Sequence, residues 1–196
     1  MTASPDRNRR ADARRSRTAI LDAAVQVLNA RPGAGVAVIA AAAGVSRQTV
    51  YAHFPTRERL LSAVLDRLTA ETVAEMDAAD LDAGPAAEAL LRLLDAGART
   101  AGRYPVLMRQ ISELPADPHE DAERHTEIAD RLRRIIRRGR QMGEFDDRLP
   151  VDWLVAAVIR LSHAASAERD AGRLPGAEAD EVLRTSLLRL LGARGA

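Results

Sequence analysis

Apolar side chains recur at intervals of three and four along the whole 196-residue chain, and no stretch alternates apolar with polar residues for the length of a strand. That spacing leaves an all-α fold as the expectation, of about nine helices. The first runs from about Ala11 to Ala30, with Ile20, Leu21, Ala24, Val27 and Leu28 on its buried side. "RPGAG" ends it, because Pro32 cannot continue a helix and the glycines permit left-handed turns. A second helix covers about Val36 to Ala43 and stops at Gly44. A third spans Arg47 to His53 and is stopped by Pro55. Thr56 is placed to cap a fourth, which runs to about Asp80. Five longer segments follow, at about Ala86–Gly102, Tyr104–Leu114, Pro118–Met142, Val151–Ala171 and Ala177–Leu191. In "DPHE" an Asp at 117, a Pro at 118 and a Glu at 120 make a capping-box-like start.

Charge divides the chain as well. All 29 basic residues are Arg, and Ala is abundant, which suggests a GC-rich coding bias. Position still carries information. Residues 1–60 hold ten Arg against Asp6, Asp12, Asp22 and Glu58, a net of +6; the remainder holds nineteen Arg against 24 acids, a net of −5. A basic head on an acidic body suggests a head that binds a polyanion. The expected boundary falls near residue 56 or within the fourth helix, taken as residues 1–56 against 57–196, with residues 1–10 a disordered arm.

The third helix raises the functional question. Seven residues cannot hold a helix in water alone, and in "RQTVYAH" only Val50 and Ala52 are apolar. The second and third helices, separated by "GVS", have the spacing of a helix-turn-helix over about residues 36–54. Gly44 permits the reversal, Val45 plugs the angle, and Ser46 is placed to accept from the Thr49 N–H. Val50 and Phe54 then face inward, leaving Arg47, Gln48, Thr49, Tyr51 and His53 off the buried stripe. Such a helix can enter a DNA major groove with its N-terminal residues, Ser46 among them, at base edges. Arg14, Arg15 and Arg17, with Arg7, Arg9 and Arg10 before them, could follow phosphates or enter a minor groove. Their other reading is a solvated basic segment.

Residues 38–65, "VIAAAAGVSRQTVYAHFPTRERLLSAVL", resemble the N-terminal domain of tetracycline-repressor-like (TetR-family) transcription regulators. Ile39-Ala40, Ala43-Gly44-Val45-Ser46, Tyr51, Phe54 and Glu58 followed by Leu60-Leu61 carry the likeness. The resemblance implies phosphate contacts for Thr49 and Tyr51. It implies base or phosphate contacts for Arg47 and Gln48, and a backbone approach for His53. Arg57 stands where the family usually has a Lys that reaches a phosphate. One departure is plain: the second helix is capped by Gly35 and carries Val38 where a charged side chain is common, so it offers DNA little beyond backbone N–H groups.

The resemblance also implies a C-terminal helical bundle that binds a small effector and dimerises through its last two helices. Leu154, Val158 and Leu161, with Leu183, Leu187 and Leu190, are the expected interface. Tyr104, Met108, Arg109, Ile111, Leu132, Met142, Trp153 and His163 are the candidate effector lining, with core packing as the alternative for each. Few aromatic residues lie in the body, so a pocket for a large planar cation is not expected.

Other chemistries find little support. No cysteine is present, which removes disulfides and thiolate metal sites. His119, Glu123 and Glu127 are spaced by four, as are Asp121 and His125, but acids in first turns complement a helix dipole, and no metal is expected. Ser162, His163 and Asp152 share one helix without a nucleophile elbow or phosphate loop, so neither catalysis nor a cofactor is expected. No run approaches 18 apolar residues and no signal segment is visible, making cytoplasm the expected location. The expected function is a ligand-responsive repressor, a homodimer on a palindromic double-stranded DNA operator. The alternative is a small-molecule-binding or enzymatic helical bundle with a vestigial head.

Overall fold

A computed structural model describes residues 5–112 and 118–193, with side chains over 9–111 and 119–193. The described residues form ten helices: α1 (Pro5–Ala30), α2 (Val36–Ala42), α3 (Arg47–His53), α4 (Arg57–Asp77), α5 (Ala86–Arg103), α6 (Pro105–Ser112), α7 (Pro118–Arg124), α8 (Thr126–Gln141), α9 (Val151–Asp170) and α10 (Gly176–Leu190). The all-α expectation holds.

Several boundaries differ from those expected. α1 begins at Pro5 rather than near Ala11, so the basic arm is helical from there. Proline suits a first helical position, and the Arg and Ala that follow favour helix. α4 ends at Asp77 rather than Asp80, where the backbone turns left-handed at φ 49°. The long helix expected up to Met142 is two helices, interrupted at His125. The His125 N–H and its ring Nδ1 both meet the Asp121 carbonyl oxygen, at 3.1 and 2.7 Å, so side chain and backbone share one acceptor. The cap expected at residue 117 lies outside the described residues.

The chain packs as two units that part within α4, between Ala70 and Glu71, rather than at residue 56. One comprises the chain up to Ala70 together with the segment from Ala101 that holds α6. The other comprises Glu71–Thr100 and the chain from Pro118 on. In the first, the head, Ile20, Ala24 and Leu28 of α1 pack with Ile39 of α2, Val50 of α3, Phe54, and Leu60, Val64 and Leu68 of α4. Leu107 of α6, fully buried, joins the same core. In the second, the body, Leu90 and Leu93 of α5 pack with Leu132, Ile135 and Ile136 of α8, Phe145, Leu154, Val155 and Val158 of α9, and Leu187 of α10.

α8 ends against its own loop. Gly139 is buried, and a Cβ on it would lie 2.2 Å from Phe145 Cδ2. Only glycine lets the Phe145 ring come this close to the helix backbone there.

Candidate nucleic-acid interface

The turn between α2 and α3 is built as its residues demand. Gly44 sits at φ 68°, where an L side chain is strained. The Val45 N–H donates to the Ala40 carbonyl at 3.0 Å, and the half-buried Val45 side chain packs on the head core. Ser46 caps α3, its Oγ accepting from the Thr49 N–H at 3.0 Å and lying 2.8 Å from the Thr49 hydroxyl. α3 buries Val50, and Phe54 beyond its end is also buried.

That leaves a polar outward face. Arg47 and Gln48 are exposed, and Tyr51 keeps half its surface open to solvent. Thr49 and His53 are half-buried, and the Thr49 hydroxyl is engaged with Ser46. α2 adds an uncapped start at Gly35 and an exposed Val38, as its sequence led one to expect.

Arg14, Arg15 and Arg17 are exposed on α1, with Arg15 paired to Asp12. The Arg17 guanidinium lies 5.3 Å from the Phe54 ring centroid, a cation–π contact that ties α1 to the end of α3. Arg17, His53, Arg59, Ser62 and Asp66 line an open groove of about 300 Å³. Arg59 was not among the expected contacts. Its sequence signal is the polar stripe Arg59, Ser62 and Asp66 at helical spacing, opposite Leu60, Leu61, Val64 and Leu68. Arg57 behaves differently from expectation: it is half-buried, with Nη1 donating to the Ala34 carbonyl at 2.7 Å.

The expected effector lining is divided between the two units. Tyr104, Met108 and Ile111 pack on the head core, and Arg109 of the same helix belongs to the head. The other four belong to the body. Leu132 is buried in its core, while Met142 and Trp153 are largely exposed. Met142 lines an open cleft of about 750 Å³ with Pro85, Ala87, Glu88 and Glu144. His163 meets His125 edge-on, ring centroids 5.0 Å apart. Asp121 joins them, 3.3 Å from His125 Nδ1 and 3.4 Å from an Arg160 nitrogen. Desolvation by these neighbours, then repulsion from His125, lowers the His163 pKa below the ordinary histidine value. Glu127 falls on α8, apart from the helix of His119 and Glu123. No metal-competent cluster occurs among the described residues.

The expected dimer residues differ in exposure. Leu154, Val158 and Leu187 are buried by their own chain. Leu183 and Leu190 are half-buried against the same core. Of the six, Leu161 alone is exposed, and Trp153 and Val182 share its outward exposure.

A capped helix-turn-helix carried on a small helical head, with a polar face turned outward, defines a helix-turn-helix protein of wholly helical build. Residues 20–64 match the family described as bacterial regulatory proteins, tetR family. The HTH-type transcriptional repressor LfrR of Mycolicibacterium smegmatis is 43% identical over 81 residues, 41% of this chain. That alignment covers 43% of LfrR, less than half its length. A crystal structure of LfrR, a TetR-like transcriptional regulator, in complex with proflavine is 30% identical, with a TM-score of 0.62; the match covers 89% of this chain and 94% of that one. RolR in complex with resorcinol shares the fold, with a TM-score of 0.75 at 19% identity, over 93% of this chain and 90% of that one. This chain belongs to the TetR family. No helix among the described residues is long and apolar enough to cross a membrane.

Proposed function

We propose that this chain is a DNA-binding transcriptional regulator, a ligand-responsive repressor that acts as a cytoplasmic homodimer on a palindromic operator. The observation that carries the reading is the outward face of α3. Arg47, Gln48 and Tyr51 stand clear of the core on a helix whose position is fixed by Val50, Phe54 and the Ser46 cap. Arg offers a bidentate fork to guanine or phosphate, and Gln can pair with adenine. The groove of Arg17, His53 and Arg59 extends the cationic surface beside it.

Dimerisation is assigned to the outer faces of α9 and α10, where Trp153, Leu161 and Val182 are exposed. Two heads then meet successive major grooves, roughly 34 Å apart. The effector is assigned to the body, with His163 and its polar neighbours as the anchor. LfrR is held in complex with proflavine. Here Phe145 is buried in the core and Trp153 faces outward, so little aromatic surface is left for a planar cation. An effector shifts the heads only by its difference in affinity for the two body conformations.

A gel-shift against DNA flanking the chain's own gene tests the reading. Binding that weakens with salt is expected, and weakens further in Tyr51→Ala while dimer mass and helicity stay unchanged. Absence of salt-sensitive binding to any genomic fragment sinks it and favours the second reading, a helical bundle whose head no longer binds DNA. The bare α2 surface is the observation on that side.

A further inference from the structure

Two elements of the head converge on one short loop. Arg57, the first residue of α4, donates from Nη1 to the Ala34 carbonyl at 2.7 Å and from Nη2 to the Pro32 carbonyl at 3.4 Å. Gln110 of α6 donates from Nε2 to the same Pro32 oxygen at 2.8 Å. The Gln110 Oε1 is buried without a hydrogen-bond partner, so that amide is held by the bond its nitrogen makes. Asn29 adds a second tie to α6. Its Oδ1 accepts from the Leu107 N–H at 3.2 Å, and its Nδ2 donates to the Arg103 carbonyl at 3.4 Å.

The loop these groups hold leads directly into α2. Ala34 is buried, and Gly35 caps α2 with no side-chain hydrogen bond. α2 therefore lacks the anchor that a Ser or Thr cap supplies. Pro32 and Ala34 follow closely on the end of α1, whose negative pole favours a cation nearby. A guanidinium serves two such acceptors at once; an ammonium, a point charge, does not match the fork. With both terminal nitrogens on loop carbonyls, Arg57 faces the protein.

We infer that Arg57 is a positioning residue, a clamp that sets the entry of α2 into the helix-turn-helix, and that Gln110 of α6 completes the clamp. This rests on the reading of the head as DNA-binding. It also reassigns the cation expected to reach a phosphate at the start of α4.

Salt dependence separates the two roles. Removing a side chain that neutralises one phosphate lowers the slope of log affinity against log salt by about 0.9. Removing a clamp lowers affinity at every salt concentration and leaves the slope alone. The experiment measures operator affinity over a salt series for the full-length wild type, Arg57→Ala, Arg57→Lys, Gln110→Ala and the double variant Arg57→Ala with Gln110→Ala. Wild type that binds no DNA overturns the DNA-binding reading itself. Given wild-type binding, Arg57→Ala, which loses both bonds to the loop, is expected to bind at least about tenfold more weakly, with the wild-type slope. Gln110→Ala, which removes no charge, is expected to weaken binding in the same direction. The double variant is expected to lose less than the sum, because the two side chains share one acceptor. A slope lowered by about 0.9 in Arg57→Ala overturns the inference. Should Arg57→Ala fail to fold, Arg57→Lys decides: it keeps the charge a phosphate needs but not the fork. Weakened binding supports the clamp, and wild-type affinity overturns it.

Discussion

α3 and α9 both turn a face outward, and the two faces are unlike. α3 has seven residues, buries Val50 alone, and presents Arg47, Gln48 and Tyr51. α9 has twenty residues, buries Leu154, Val155 and Val158, and still leaves Trp153 and Leu161 in solvent. Hydrogen-bond donors on a cationic head suit a polyanion, whose phosphates and base edges reward directional contact. Exposed Trp and Leu on a helix already packed by its other face suit another protein surface, where an aromatic anchor contributes most. The comparison teaches that apolar content alone does not mark a binding face; what a helix leaves uncovered after its core is satisfied does.

Four measurements sharpen or break that contrast. The largest effect is expected from Gly139→Ala, which forces Phe145 away from α8. The body should lose about 3 kcal/mol of stability, read by calorimetry, while the head's DNA contacts remain as they were. A variant that melts like wild type would show that the ring has another place to go. Next, Trp153→Ser should weaken self-association by about 2 kcal/mol in sedimentation equilibrium, with helicity retained. Unchanged mass would remove α9 from the interface. Third, Ser46→Ala removes the cap of α3 and should lower head stability by about 1 kcal/mol, with weaker DNA binding in step. Binding that stays at wild-type strength would mean that α3 is held without its cap.

The smallest effect concerns pH. His163 has a lowered pKa in the folded chain, so the folded state binds fewer protons than the unfolded one. The stability linked to its neutral form is present above the ordinary value of 6.5 and is lost as pH falls through the lowered one. The side chain is exposed in part, so the change should be slight. His163→Gln should flatten the thermal melting profile of the body over that window, and an unaltered profile would assign the dependence elsewhere.

Much of the head was legible from the residues. Gly44 and Ser46 act through local backbone rules, and those rules hold wherever the segment packs. The inward turn of Val50 and Phe54 follows from helical spacing. Long-range partnership was not legible. Leu107 announces burial, but nothing in "PVLMRQIS" says that the head buries it. Leu154 and Leu161 read alike, seven apart on one helix, yet one is core and the other surface. The contact of Arg57 with the loop left no mark in the sequence, because Pro32 and Ala34 offer carbonyls that every residue possesses. The break at His125 is silent in the sequence for a similar reason, since a ring nitrogen meeting a backbone oxygen leaves no periodic trace.

The attachment of α3 bears on how such a protein can change over generations. Val50, Phe54 and the Ser46 cap hold the helix, while Arg47, Gln48 and Tyr51 contribute almost nothing to the core. Exposed positions of that kind tolerate substitution within about 0.5 kcal/mol. Sequence preference for DNA and folding of the head therefore rest on separate residues. A lineage can explore new operators at the first set without endangering the second.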